Sequence, residues 1–310
     1  MKKIILDIKE KLRIIKILLN TPIAKKHKLR VFFNIFILQT RKNFFKKPFI
    51  FKTCTNTYAY VQKNVDTTGA AGLFYCGLLE ANEISCAWHL LRSQDIFFDI
   101  GANQGSWGLI LCAKEIYCHE FEPASDTFKS LKKQISLNKA FNNYLLPHQI
   151  AVSNKNGTVQ FTVGRGQNNQ IQSEFSMKNF KNTYEEVKVA TLDSLAEKYG
   201  YPSLIKIDTE GFTNEVLEKG HNVLKNKSLK ALFIETFRRY DGRSKRSVEI
   251  EKLLAYHGFY PYFFDISRRE LTKITSLYEG DQDTIYLRDN AENLRLIRES
   301  EPIKIFNVEY

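Results

Sequence analysis

The stretch Ile96–Gly108, "IFFDIGANQGSWG", decides the fold. Its first five residues predict a short buried strand that carries Asp99 near its end. Gly101 and Gly105 follow, and glycine lets a backbone turn tightly and approach a ligand closely. The residues after Gly105 predict a helix whose first N–H groups favour an anion. Strand, glycine turn and helix in this order are typical of the first nucleotide-binding loop of a doubly wound sheet.

The chain from Ile96 to Asp289 continues to alternate strand and helix patterns. Strands separated by helices of about ten to fifteen residues predict βαβ units and a parallel sheet. The last two strand patterns, "FYPYFF" and "DTIYLRD", have no helix between them and predict an antiparallel edge. "GTVQFTV" and "EEVKVATL" predict a hairpin or edge insertion. The fold class expected is therefore α/β, doubly wound and mostly parallel.

Three details of the loop and the next strand predict the cofactor. The loop reads D-x-G-x-N-x-G, with Asn103 at the middle position where a dinucleotide-binding loop needs glycine. Asp99 is unfavourable beside a pyrophosphate but favourable beside an ammonium and a sulfonium. Glu122 ends the second strand, about where an acid binds ribose hydroxyls. Together these acids and glycines predict S-adenosylmethionine.

Five segments, in this order, resemble the FkbM family of S-adenosylmethionine-dependent methyltransferases, over about Gly72–Thr236. They are "FFDIGANQGSWGLIL", "EFEPASDTFKSLKKQISLN", "AVSNKNGTVQF", "TLDSLAEKYGYPSLIKIDTEGFTNEVLEKG" and "LKALFIET". The resemblance implies a class I methyltransferase (Rossmann-like) fold with a seven-stranded sheet. It also implies methyl transfer to oxygen, commonly a hydroxyl of a sugar or a secondary metabolite.

The resemblance further implies which residues hold the cofactor. The methionine and adenosine part would be lined by Asp99, Gly101, Asn103 and Gly105. Glu122 would hold the ribose, and Ala151 with its neighbours would border the adenine. The sequence departs from the family pattern after I-D-x-E-G, where a second acid and a G-A pair are usual. Here "GFTNEVLEKGH" follows, so the sequence departs from the family in the region of the substrate pocket and keeps the family pattern at the cofactor site.

Candidate catalytic residues lie at the ends of the fourth and fifth strands. "KIDTEG" places Lys206, Asp208 and Glu210 at the edge of the sheet that faces the ligand crevice. Alternation sends Lys206 and Asp208 to the same side, so the two can pair. Asp208 is the first choice for a base acting on a hydroxyl, Glu210 the second, and Glu235 the third. Each acid has the alternative of capping the helix that follows.

Metal binding is not expected. Asp208, Glu210 and Glu235 offer oxygen ligands that suit Mg²⁺, but nothing in their spacing requires a metal. The six histidines lack ligand spacing, and the five cysteines contain no C-x-x-C pair. Unpaired cysteines are typical of a cytoplasmic protein.

Positive charge is concentrated at the N-terminus. Residues 1–52 contain 15 Lys and Arg against two acids, a net charge of +13, and the remaining residues have a net charge of −1. We therefore divide the chain into a basic extension, 1–52, and a methyltransferase domain, 53–310, with its core at about 72–290. Ile4–Leu19 predicts a basic amphipathic helix, and Lys25–Lys52 is basic and aromatic. This extension either lies on an anionic membrane surface, at the inner face of the membrane, or packs on the body or a second subunit.

The expected function is O-methylation of a glycan hydroxyl, such as that of a surface polysaccharide or glycolipid precursor, or of a secondary metabolite. The basic stretch Phe237–Ser247 would suit an anionic acceptor, including a lipid-linked one. The basic arm raises the alternative of RNA methylation, but D-T-E-G stands where base-amine methyltransferases carry N-P-P-Y or D-P-P-Y, so no nucleic acid is expected. A membrane-associated protein that keeps the fold without catalysis is the other alternative.

Overall fold

The β-strands of the protein lie between Phe49 and Glu309. In the computed structural model the described residues are 15–44, 48–61, 69–163, 183–209, 211–236, 238–239, 242–243, 245–274 and 282–310. The strands are β1 (Phe49–Lys52), β2 (Tyr58–Val61), β3 (Ile96–Ile100), β4 (Tyr117–Phe121), β5 (Leu145–His148), β6 (Ala151–Val152), β7 (Gly157–Val163), β8 (Thr183–Ala190), β9 (Leu204–Ile207), β10 (Ala231–Thr236), β11 (Arg238–Arg239), β12 (Gly242–Arg243), β13 (Phe259–Asp265), β14 (Glu270–Lys273), β15 (Gln282–Arg288), β16 (Lys304–Ile305) and β17 (Val308–Glu309).

Helices lie between the parallel strands and cover both faces of the main sheet. They are α1 (Pro22–Lys26), α2 (Lys28–Phe44), α3 (Ala70–Cys76), α4 (Ala81–Leu90), α5 (Ser106–Leu111), α6 (Ser125–Ser136), α7 (Leu192–Tyr199), α8 (Thr213–Glu218), α9 (His221–Lys225), α10 (Lys245–Tyr256) and α11 (Ala291–Glu299). Short 3₁₀ turns follow α5 and α6, at Cys112–Lys114 and Lys139–Phe141. Within the described part of the chain, no helix is both long and apolar enough to span a membrane.

The main sheet has eight strands in the order β14–β13–β15–β10–β9–β3–β4–β5. The strands from β10 to β5 are parallel, whereas β15 is antiparallel to both β10 and β13. The predicted α/β class, the parallel sheet and the antiparallel closing strands are confirmed. Glu270–Lys273 adds an eighth strand to the seven expected. It pairs with β13 at the edge of the sheet, and its mostly exposed side chains give no apolar alternation that sequence reasoning can detect.

Alternation along β3 separates two apolar clusters. Phe97 belongs to the cluster on one face, with Trp107 of α5, and Phe98 and Ile100 belong to the cluster on the other. Asp99 therefore lies on the same face of the sheet as Phe97, below α5. The predicted insertion is a separate three-stranded sheet in the order β6–β8–β7, with β7 and β8 antiparallel.

The N-terminal helices pack on the body. Ile23 of α1 and Val31, Ile35 and Leu38 of α2 are buried in the same apolar cluster as Phe97. β1 pairs with β2, so a hairpin spans the boundary that the charge distribution suggests at residue 52. Most of the helix predicted for Ile4–Leu19 lies outside the described residues, although residues 15–20 are helical.

Candidate active site

The glycine loop after β3 is held by backbone contacts that only glycine permits. The N–H groups of Gly101 and Ala102 both donate to the carbonyl of Phe121, at 2.9 and 3.1 Å. Gly101 has a φ of +85°, and a Cβ atom there would lie 1.9 Å from the carbonyl oxygen of Asp208. Gly105 has a left-handed conformation and forms the N-cap of α5. The loop is thus locked between the ends of β4 and β9.

Asp99 is a buried acid whose Oδ1 atom accepts no hydrogen bond from any described residue. Strand register places it directly between Glu120 of β4 and Lys206 of β9. Burial raises the pKa of Asp99 above its ordinary value, and the positive charge of Lys206 acts in the opposite direction. A buried carboxylate oxygen without a donor is costly, so it marks a position where a cation or a donor from a ligand would be stabilising.

Glu122 fastens the loop to the end of β4. Its Oε2 accepts the N–H of Asn103 at 3.0 Å, and its Oε1 accepts the N–H of Ala124 at 2.9 Å. Burial raises the pKa of Glu122 to about 7, and the negative charges of Asp99 and Asp208 add to this effect, while the two N–H donors oppose it. Each carboxylate oxygen keeps a second lone pair that can accept a ribose hydroxyl.

Lys206 and Asp208 form the ion pair that alternation predicts. Lys206 Nζ donates to Asp208 Oδ2 at 2.8 Å, and the lysine side chain is buried whereas that of Asp208 is 37% exposed. The N–H of Asp208 donates to the carbonyl of Ile100 at 2.9 Å, which fixes this residue beside the glycine loop. Lys206 thus holds one oxygen of the Asp208 carboxylate, and the Asp208 side chain is partly exposed beside the glycine loop.

The other predicted site residues are Ala151, Glu210 and Glu235. Ala151 of β6 is buried in an apolar cluster with Ala124 and residues of β7 and β8. Its side chain therefore packs among apolar residues and not with Asp99, Glu122 and Asp208. Glu210 lies outside the described residues. Glu235 is in β10, but its side chain is outside the described part as well. The structure thus brings together Asp99, Glu122 and the Lys206–Asp208 pair.

Two further acids near this group were missed by sequence reasoning. Glu120 is fully buried, and neither of its carboxylate oxygens has a hydrogen-bond partner among the described residues. Glu80 accepts a hydrogen bond from the indole N–H of Trp107, and its charge also raises the pKa of Asp99. The E-F-E spacing could have indicated Glu120, because residues two apart in a strand share a face. No local pattern marks Glu80.

Among the described residues, no group of three or more His, Cys, Asp or Glu side chains has the geometry of a metal site. The sheet order, the glycine loop and the acids at the ends of β3 and β4 define the class I methyltransferases that use S-adenosylmethionine.

Comparison with known proteins supports this class and shows the family. Residues 99–261, just over half of the chain, match the family model of the methyltransferase FkbM domain. The chain therefore belongs to the FkbM methyltransferase family and is an S-adenosylmethionine-dependent methyltransferase. No curated protein matches its sequence.

The solved structures that match this chain include other methyltransferases. Aeropyrum pernix fibrillarin with bound S-adenosylmethionine is 9% identical, with 66% of this chain and 73% of that chain covered and a TM-score of 0.38. Magnesium protoporphyrin IX methyltransferase of Synechocystis PCC 6803 is 12% identical, with 67% and 79% covered and a TM-score of 0.38. The C-terminal domain of precorrin-6Y C5,15-methyltransferase of Rhodobacter capsulatus is 10% identical, with 66% and 84% covered and a TM-score of 0.34.

Proposed function

We propose that the protein transfers a methyl group to a hydroxyl of a sugar or glycan, such as a surface polysaccharide or glycolipid precursor, or of a secondary metabolite. The Lys206–Asp208 pair is the observation that carries this proposal. A hydroxyl is a poor nucleophile at neutral pH, so a carboxylate within hydrogen-bond reach increases its reactivity. Asp208 is the described acid that combines a buried lysine partner, a fixed backbone and an exposed carboxylate at the edge of the sheet.

The cofactor is held in this proposal by the glycine loop and two acids. Asp99 offers an unpartnered buried oxygen to the positive end of the cofactor, and Glu122 offers lone pairs to the ribose. Gly101, Asn103 and Gly105 supply backbone that turns closely around the ligand, since all three have positive φ. When bound, S-adenosylmethionine supplies an electrophilic methyl group on a cationic sulfur. The backbone around Ala151 would border the adenine.

Asp208 serves the acceptor in two ways. Its carboxylate accepts a hydrogen bond from the acceptor hydroxyl, which orients the oxygen, and it then takes the proton as the oxygen is methylated. Lys206 is a positioning residue, because its buried ammonium holds the carboxylate in place through the 2.8 Å hydrogen bond. Glu210 and Glu235 remain further candidates for contacts to the acceptor.

We further propose that the acceptor carries an anionic group, as a lipid-diphosphate- or nucleotide-linked sugar does. The basic stretch Phe237–Ser247 begins directly after β10, whose parallel neighbours end at the candidate site. The short strands β11 and β12 pair within this stretch. A cytoplasmic location is proposed as well, since none of the five cysteines forms a disulfide in the described chain.

The direct test is mass spectrometry of glycans and small metabolites from cells with the wild-type protein, with Asp208→Asn, and without the protein. We expect one species to lose the mass of a CH₂ group both in the deletion and in Asp208→Asn cells. Calorimetry on the purified variant should still detect S-adenosylmethionine, because Asp208 is assigned to the acceptor. A methylated RNA in place of a glycan or metabolite, or full methylation by Asp208→Asn, contradicts the proposal.

A further inference from the structure

The outer face of α2 is a row of exposed large apolar side chains. Leu29 is 90% exposed, and Phe32, Phe33 and Phe36 are each 61–62% exposed. Their spacing of three and four residues places them on one stripe of the helix, and Phe44 continues it at the C-terminal end. We call Leu29, Phe32, Phe33, Phe36 and Phe44 the outer apolar face.

This face cannot turn inward, because the opposite side of α2 is already buried. Val31, Ile35 and Leu38 are packed in the body of the protein. The side-chain amide of Asn34 also donates to the carbonyls of Phe74 and Tyr75 in α3. The helix is therefore fixed in rotation, and the outer apolar face stays in contact with solvent unless a partner covers it. Contiguous exposed apolar patches mark interaction surfaces.

Positive charge surrounds the outer apolar face. From Lys11 to Val65 the sequence contains thirteen Lys and Arg residues and no acid. Within the described part, Lys25, Lys26 and Lys28 lie exposed at the N-terminal end of α2. Arg30 and Arg41 are residues of α2 itself, and their guanidinium groups are held by stacking on the rings of Phe306 and Phe49. Apolar side chains flanked by fixed cations are complementary to a membrane with anionic head groups.

We infer that the protein binds anionic lipid membranes through α2, with the helix parallel to the surface and the outer apolar face inserted between the head groups. A second copy of the chain is a less favourable partner, because a symmetric contact through this face would bring two strongly basic surfaces together. The remainder of the chain has a net charge of −1, so this basic segment is the strongest source of attraction to an anionic membrane.

The test is co-sedimentation of the full-length protein with vesicles of phosphatidylcholine alone or mixed with phosphatidylglycerol. We expect binding to the mixed vesicles only, with release at high salt, since screening weakens the electrostatic attraction. The triple variant Phe32→Ser, Phe33→Ser, Phe36→Ser should bind the mixed vesicles at least about tenfold more weakly than the wild type. The reason is that three inserted aromatic side chains are lost.

The matched control is Tyr256→Ser, which removes an aromatic side chain that is 82% exposed but lies outside this face. It should bind mixed vesicles like the wild type. Circular dichroism and calorimetric binding of S-adenosylmethionine show whether each variant is folded, and neither should change in the triple variant. The inference is overturned by undiminished vesicle binding of the triple variant. It is also overturned if the wild type is a dimer that does not bind vesicles and the triple variant is a monomer.

Discussion

Substitution of Gly101 by alanine tests how the glycine loop is built. The new Cβ atom would lie 1.9 Å from the carbonyl oxygen of Asp208, at a φ of +85° that side chains rarely adopt. Gly258 offers a matched control, because its φ is +81° and nothing lies within 4 Å of the position of its Cβ. The left-handed strain of about 1–2 kcal/mol is common to both variants. Their difference therefore isolates the overlap with the backbone, which we expect to cost a further ~1–3 kcal/mol.

Urea unfolding followed by far-UV circular dichroism measures this difference. We expect the free energy of unfolding to fall further in Gly101→Ala than in Gly258→Ala, and the difference is the cost of the overlap with the backbone. Calorimetry should show that Gly101→Ala binds S-adenosylmethionine at least about tenfold more weakly, since small displacements of positioned groups are costly. Gly258→Ala should bind normally. Equal losses of stability in the two variants, with normal binding by both, would refute the account of the loop.

Other predictions concern the acids and the lysine of the candidate site. Lys206→Met removes the positive charge that lowers the pKa of the buried Asp99, so the pH below which S-adenosylmethionine binding weakens should move upward; an unshifted binding profile would show that Lys206 does not act on Asp99. Glu122 has its pKa raised from 4.5 to about 7 in the folded protein, so it stabilises the protein below about pH 4.5 and this contribution is lost as the pH rises through about 7. The loss in free energy of unfolding is at most on the order of 3 kcal/mol. Urea unfolding between about pH 4.5 and 7 should show a smaller decline of this free energy for Glu122→Gln than for the wild type. Parallel curves for the two proteins would argue against the raised pKa. Gly108→Ala places a Cβ atom 1.6 Å from Glu120 Oε1, so it should lower the free energy of unfolding by about 1–3 kcal/mol. The double variant with Glu120→Ala should recover part of this loss. If it recovers none, the carboxyl group is not the group that the new methyl group overlaps.

The parts of the fold that local patterns encode could be predicted from the sequence. β3, its glycine turn and α5 follow from an apolar run, two glycines and a helix pattern, and the structure has them at these positions. The pairing of Lys206 with Asp208 follows from alternation alone. The closing antiparallel strands follow from the missing helix between them.

The features that sequence reasoning missed depend on tertiary contacts. The E-F-E spacing indicates the face on which Glu120 lies, but its burial depends on the room that Gly105 and Gly108 leave beside its carboxyl group. Glu80 reaches the site from the start of α4 through its bond to Trp107. The sequence also does not show which apolar side of α2 is buried and which is exposed. It shows an aromatic, basic stretch, and only packing on the body distinguishes the two sides.

The central claim is that Asp99 and Glu122 form a site for a cationic nucleoside, and calorimetric titration with S-adenosylmethionine tests it most directly. We predict that the wild type binds more tightly at about pH 8 than at about pH 6, because both carboxyl groups have raised pKa values and bind a cation best when ionised. Asp99→Asn should bind at least about tenfold more weakly, the loss expected for one charged hydrogen bond. An Asp99→Asn protein that is folded and has the dissociation constant of the wild type at both pH values would contradict the account.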